Sequence, residues 1–97
     1  MSDIDKIKSM LRKNMPLLKE KYHVMTLEIF GSYVRGAQSE TSDVDMLVEF
    51  NKTIDLFTFV ELENVLTEMI GIKVDLSMKD ALKPRLKEYV LKEAIPV

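Results

Sequence analysis

The chain has 97 residues, of which 46% are hydrophobic and 31% charged, and its formal net charge is −2. These values are typical of one globular domain, here residues 1–97. They exclude wholesale disorder and a strongly basic surface, so we expect no direct nucleic-acid binding. The lack of cysteine excludes disulfides and thiolate zinc sites, and without a signal-type or membrane-length apolar stretch we expect a cytoplasmic protein with no membrane contact.

The first third of the chain is predicted to fold as a helix, a strand and a short helix. Apolar residues at helical spacing predict a helix over 3–21, which Pro16 is expected to kink or restart. Alternation over 25–30 predicts a strand with one apolar face, made of Met25, Leu27 and Ile29. A short helix is expected within 32–37, so a tight turn at Gly31 follows the strand.

The middle of the chain predicts a second strand and a second long helix. One face of the strand is apolar, and Asp43 and Asp45 lie at the start of its other face. The helix is expected to begin at Thr53 or Asp55 and to end at Gly71. Its core-facing residues are predicted to be Leu56, Phe59, Val60, Leu66, Met69 and Ile70.

The last third predicts a third strand and a final helix. Alternation over 72–78 places Asp75 on the face opposite to the apolar residues of this strand. The final helix is expected to begin near Pro84, to bury Leu86, Val90 and Leu91, and to stop before Pro96. The element order predicts an α/β (α+β) fold, with a small mixed sheet of three to four strands flanked by helices.

The spacing of Asp43 and Asp45 indicates a site for divalent cations. Two residues apart on a strand, they project to one side about 6.6 Å apart, where two carboxylates repel by about 2.5 kcal/mol at an effective dielectric near 20. Taken singly, Asp43 could end a turn and Asp45 could point into water. The turn at Gly31 and Ser32 favours a shared site, because its backbone donors suit the phosphates of a metal-bound nucleotide.

The residues of this region together resemble a known signature. Gly31-Ser32, Arg35-Gly36 and Ser42-Asp43-x-Asp45 resemble the motif of the polymerase-beta-type nucleotidyltransferase superfamily, specifically its minimal nucleotidyltransferase (MNT) domains. The resemblance covers nearly the whole chain. It implies the nucleotidyltransferase fold, with the metal-binding aspartates on adjacent strands of a mixed sheet.

The resemblance also implies a reaction and roles for individual residues. Asp43 and Asp45 are expected to bridge two Mg²⁺ ions, with ATP as the substrate and pyrophosphate as the leaving group. Asp75 is expected to complete the metal site and to assist deprotonation of the attacking hydroxyl. The alternative for Asp75 is an exposed carboxylate paired with Lys73 or Lys79.

The glycine turn is expected to bind the nucleotide. Gly31 would allow close approach of the outer phosphates, and Ser32 would bind them through its hydroxyl and backbone N–H. Arg35 either clamps a phosphate or braces the Asp43 loop through an ion pair. Tyr33 either packs in the core or touches the nucleotide or a partner.

Stand-alone domains of this kind resemble the antitoxins of HEPN/MNT toxin–antitoxin pairs. The resemblance implies that a HEPN-type ribonuclease toxin is the partner, and that AMP is transferred from ATP to one of its tyrosines. Two alternatives remain open. The chain could neutralise its partner by binding alone, or it could transfer a nucleotide to a small hydroxylated molecule.

Overall fold

The structure is a computed structural model that describes residues 2–97. Within them the chain forms four α-helices, a 3₁₀ turn and a four-stranded mixed sheet, which confirms the predicted fold class. The elements are α1 (Asp3–Tyr22), β1 (Val24–Phe30), α2 (Ser32–Arg35), β2 (Val44–Phe50), α3 (Leu56–Ile70), β3 (Val74–Met78), the 3₁₀ turn η1 (Lys79–Ala81), α4 (Pro84–Glu93) and β4 (Ile95–Pro96).

The strand order of the sheet is β3-β2-β1-β4. Strand β1 lies antiparallel to both β2 and β4, whereas β2 and β3 run parallel. The two-residue strand β4 pairs Ile95 with Ile29 and was not predicted as an element. Its proline tolerates this position because an edge strand can leave one backbone position without a donor.

The hydrophobic core lies on one face of the sheet, beneath α1 and α3. Its fully buried members include Leu11 and Leu18 of α1, Ile29 and Met46 of the sheet, and Leu66 of α3. Because side chains alternate along β1, β2 and β3, the remaining ones point to the opposite face of the sheet, which we call the second face. No helix within residues 2–97 has the length and apolar character needed to cross a membrane.

Helix α1 passes through Pro16 without interruption, so the prediction that the helix restarts there was wrong. A proline removes one main-chain hydrogen bond of a helix. Here Leu11 and Leu18, on either side of Pro16, are both fully buried. Burial of both residues in the core therefore favours a continuous helix past Pro16.

In three elements, β1, α3 and α4, some residues predicted to face the core are exposed instead. Met25 is 48% exposed because a shift in the β1–β2 register at this point breaks the alternation, and Val24 is buried instead. In α3, Leu62, Leu66 and Ile70 form the buried stripe, whereas Leu56 and Val60 lie exposed near the start of the helix. In α4 only Val90 is buried, and Leu86 and Leu91 face outward.

The two ends of α3 agree with the prediction. Asp55 is the N-cap, and its carboxylate accepts the Thr58 N–H at 2.7 Å. Gly71 ends the helix with a positive φ of 73°, a conformation that glycine adopts at little cost. The turn after Gly71 leads directly into β3, the strand that carries Asp75.

Strand β3 lies at the edge of the sheet, and side chains of α3 satisfy its outward N–H groups. Thr67 Oγ1 accepts the Val74 N–H at 3.0 Å and donates to the Glu63 carbonyl, also at 3.0 Å. The Glu63 carboxylate accepts the Leu76 N–H at 2.8 Å. These bonds flank Asp75 and attach this part of the edge strand to α3.

Replacing Thr67 with valine is expected to lower the free energy of unfolding by about 1–3 kcal/mol, because the Val74 N–H would lose its acceptor in a buried position. Urea denaturation followed by circular dichroism measures this change. Thr53→Val, at an exposed threonine on the loop before α3, is the matched control and is expected to have no effect. Equal stability of the two variants would contradict the proposed role of the Thr67 hydroxyl.

Candidate active site

Two aspartates lie side by side on the second face of the sheet. Asp45 of β2 pairs in register with Asp75 of β3, and on its other side it pairs with Phe30 of β1. Directly paired residues project to the same face of a sheet. The structure therefore brings Asp45 and Asp75 together, next to the end of β1.

Asp43 joins this pair from the residues just before β2. The Val44 N–H donates to the Lys73 carbonyl at 2.8 Å, so the chain is already aligned with the start of β3 at this point. Asp43 precedes Asp45 by two residues, and its negative charge acts on the Asp45 carboxyl. Asp43, the third aspartate predicted as a site residue, thus lies close enough to Asp45 for its charge to act on it.

The glycine turn lies against Asp45. Gly31 directly follows Phe30, the β1 partner of Asp45, and has a φ of 83°. A β-carbon added at Gly31 would overlap the Asp45 carboxylate, with the Asp45 Cγ only 3.1 Å away. Because glycine has no side chain, the Asp45 carboxylate can lie directly against the backbone of the turn.

Helix α2, which follows Gly31, is a single turn of four residues. The N–H groups of Ser32 and Tyr33 are at its start, where a helix offers no carbonyl to accept them. Gly36 ends the turn with a positive φ of 69°. Tyr33 is only 7% exposed and belongs to the hydrophobic core, so its side chain packs in the protein interior.

The electrostatic environment disfavours a negative charge on Asp45. Burial raises the pKa of its carboxyl above the ordinary 3.8, and the charges of Asp75 and Asp43 raise it further. The Arg35 guanidinium lowers this pKa, whereas the Glu93 carboxylate adds a small increase. A cation placed among the aspartates would relieve this repulsion.

These residues fit magnesium better than a softer metal. The available ligands are carboxylate oxygens, which suit hard cations. Across residues 2–97 no three acidic, histidine or cysteine side chains are arranged as a ready-made metal cage. Magnesium is commonly bound by one or two carboxylates, with substrate phosphates and water completing its shell, so Asp43, Asp45 and Asp75 would hold it together with a bound nucleotide.

Arg35 forms its ion pair with Glu93 at the end of α4. The same Glu93 carboxylate accepts the Gly31 N–H at 3.3 Å. The expectation that Arg35 braces the Asp43 loop through an ion pair is therefore not met. Sequence reasoning missed Glu93 entirely, because it lies 62 residues from Gly31 in the chain and belongs to no local motif.

Lys79, one of the two lysines considered as partners of Asp75, is engaged elsewhere. Its ammonium group contacts Glu28 at 2.9 Å and Glu49 at 3.4 Å. The hydrogen bond to Glu28 raises the pKa of Lys79, and a hydrogen bond from Thr26 lowers the pKa of Glu49. Among the ion pairs of residues 2–97 none includes Asp75. Asp75 is an exposed residue that lies beside Asp45.

Comparison with known families gives a match over most of the chain. The family model described as a nucleotidyltransferase domain matches residues 11–97. A protein of Methanocaldococcus jannaschii, provisionally named a protein adenylyltransferase, is 49% identical over 98 residues, covering 100% of both chains. The protein adenylyltransferase MntA of Thermococcus cleftensis is 41% identical over 97 residues, covering 100% of this chain and 98% of the relative.

Solved structures with the same fold agree with this assignment. A provisionally assigned minimal nucleotidyltransferase superposes with a TM-score of 0.83 at 32% identity, covering 100% of this chain and 97% of the other. A chain from a toxin–antitoxin structure solved with AMP-PNP superposes with a TM-score of 0.70 at 27% identity. That match covers 99% of this chain and 72% of the other.

Proposed function

Because the chain belongs to the nucleotidyltransferase domain family, we propose that it is a magnesium-dependent protein adenylyltransferase. In this proposal it transfers AMP from ATP to a tyrosine of a HEPN-type toxin and thereby acts as an antitoxin. The observation that carries the proposal is the pairing of Asp45 with Asp75 beside the Gly31 turn. We infer further that residues 1–97 form a single domain of this family, since α1 shares its core with the sheet.

The proposed reaction is an in-line displacement at the α-phosphorus of ATP. The tyrosine oxygen forms the new bond to that phosphorus, and the bond from the α-phosphorus to the bridging oxygen breaks, so pyrophosphate leaves. Asp43, Asp45 and Asp75 would hold magnesium, which would neutralise charge on the phosphates and activate the acceptor oxygen. Asp75 takes up the hydroxyl proton and passes it to solvent, and Asp43 and Asp45 fix the geometry of the site.

The glycine turn has a separate task, which is to hold the outer phosphates. The Gly31 backbone lies against Asp45, so a phosphate bound at the turn would lie beside the metal-binding carboxylates. The Ser32 and Tyr33 N–H groups and the Ser32 hydroxyl are the available donors. Donors fixed in this way would hold the triphosphate next to Asp45, one of the carboxylates that would bind the metal ion.

A protein acceptor is supported by the similarity to named protein adenylyltransferases. The neighbouring toxin–antitoxin structure was solved with AMP-PNP, an analogue of ATP, which supports both the nucleotide and the type of partner. Tyrosine as the acceptor and the HEPN fold of the toxin follow from the resemblance of the motif to MNT antitoxins.

The proposal is tested by incubating the chain with a HEPN toxin, Mg²⁺ and ATP labelled at the α-phosphate. Label is expected on the toxin, and ATP labelled at the γ-phosphate is expected to give none. The double variant Asp43→Asn, Asp45→Asn is the catalytic control and is expected to leave the toxin unlabelled. Transfer of label to a small-molecule fraction would instead favour a small hydroxylated acceptor.

The same double variant separates catalysis from binding in cells that express the toxin. The enzymatic proposal predicts that cells with the variant stop growing, whereas cells with the unaltered chain grow. Full protection by the variant, at equal protein level, would show that binding alone neutralises the toxin and would contradict the proposal.

A further inference from the structure

Glu93 occupies a position next to the candidate phosphate site. It is the last residue of α4, and its side chain is only 17% exposed. One of its carboxylate oxygens accepts the Gly31 N–H at 3.3 Å, and the other pairs with the Arg35 guanidinium. Gly31 belongs to the turn that we propose binds the triphosphate, and Arg35 is the last residue of α2, which follows it.

A carboxylate and a phosphate make the same demands of such a turn. Each is an anion with oxygen acceptors, and each is bound well by a backbone N–H together with an arginine. The Glu93 carboxylate thus occupies two donors next to the candidate phosphate site, the Gly31 N–H and the Arg35 guanidinium. It also repels the negative charge of Asp45 and would repel a phosphate placed there.

We propose that Glu93 is an internal counter-anion, which holds the Gly31 turn and Arg35 in the nucleotide-free chain and is exchanged for the triphosphate when nucleotide binds. This inference rests on the proposed function. It makes Arg35 a phosphate ligand only after exchange. Because α4 leads directly into β4, whose Ile95 pairs with Ile29, the exchange would also loosen the C-terminal part of the chain.

The proposal predicts that Glu93→Gln binds magnesium AMP-PNP more tightly than the unaltered chain. We expect the Kd to fall about tenfold. This is the size of effect expected when one charge-assisted hydrogen bond of the protein no longer competes with the ligand. Isothermal titration calorimetry measures the Kd without adenylyl transfer, because the titration contains no toxin to accept the AMP group. Glu88→Gln, which removes the same charge at an exposed position of α4, is the matched control and is expected to leave the Kd unchanged.

Two results would overturn the inference and leave the proposed function standing. In both, the unaltered chain and Glu88→Gln bind AMP-PNP. In the first result, Glu93→Gln binds with the same Kd as the unaltered chain. In the second, it binds more weakly, which would show that Glu93 stabilises the turn in the bound state. Absence of binding by all three proteins would instead defeat the proposed function, and this inference with it.

Hydrogen exchange on the unaltered chain gives a second test that does not depend on a variant folding. Adding magnesium AMP-PNP is expected to protect the Gly31 and Ser32 amides and to speed exchange at the end of α4, around Val90 to Glu93. Greater protection at both places would overturn the exchange, because it would mean that Glu93 stays docked while nucleotide is bound.

Discussion

Asp45→Asn is expected to lower the rate of adenylyl transfer at least about 1,000-fold while making the nucleotide-free chain more stable to heat. The loss follows from the chemistry of the site, because an amide keeps the shape of the side chain but not the negative charge that magnesium requires. Metal ions contribute several kcal/mol to such reactions, and each 1.36 kcal/mol corresponds to a tenfold change in rate.

The gain in stability follows from the raised pKa of Asp45. A carboxyl with a raised pKa in the folded state stabilises the fold below its ordinary pKa of 3.8, and this contribution is lost as the pH rises through the raised value. At neutral pH the ionised Asp45 therefore opposes folding, and asparagine removes that opposition. Solvent screens this half-buried group, so the gain is expected to stay below about 1 kcal/mol, a few degrees in Tm.

Differential scanning calorimetry without magnesium measures the stability change. The Tm difference between Asp45→Asn and the unaltered chain is expected to shrink as the pH falls towards the ordinary pKa of the carboxyl. Asp80→Asn is the control, since its side chain is 84% exposed on η1, away from the aspartate pair. A Tm for Asp45→Asn below that of the unaltered chain at neutral pH would contradict the electrostatic argument.

The parts of the candidate site that lie close together in sequence were the most predictable. Gly31, Asp43 and Asp45 fall within fifteen residues in the printed sequence, and strand alternation is enough to direct both carboxylates to one face. The prediction that Asp75 joins them rested on the family resemblance. Strand alternation predicts the face of the sheet on which Asp75 lies, but not which residue of a neighbouring strand it pairs with. The structure supplied that neighbour as the in-register pair Asp45 and Asp75.

The features that sequence reasoning missed depend on contacts between distant segments. Glu93 reaches Gly31 only because the fold brings the end of α4 next to the end of β1, 62 residues away in the chain. The register shift at Met25 arises from pairing between β1 and β2, which a single strand pattern does not reveal. Leu56, the first residue of α3, lies exposed ahead of the buried stripe, which begins at Leu62. Helical periodicity predicts which face of a helix is apolar, but not which of its turns are buried.

Gly31→Ala is expected to reduce adenylyl transfer by at least about 100-fold and to weaken the binding of magnesium AMP-PNP. The new β-carbon would overlap the Asp45 carboxylate, so either this side chain or the turn must move. A displacement of about 1 Å at a reacting group is enough for a loss of this size. The positive φ of 83° adds strain, because residues other than glycine pay about 1–3 kcal/mol in such conformations.

Gly71→Ala separates the two effects, because this glycine also has a positive φ, of 73°, while an added β-carbon there would meet no atom within 4 Å. Both variants are expected to lose thermal stability, yet only Gly31→Ala should lose transfer activity at temperatures well below its Tm. Calorimetric Tm values and labelling of the toxin with α-labelled ATP give the two readouts. Equal transfer activity of Gly31→Ala and Gly71→Ala, at the same folded fraction, would contradict this prediction. The close approach of the turn to Asp45 would then have no part in the reaction, and the triphosphate would have to bind elsewhere on the second face.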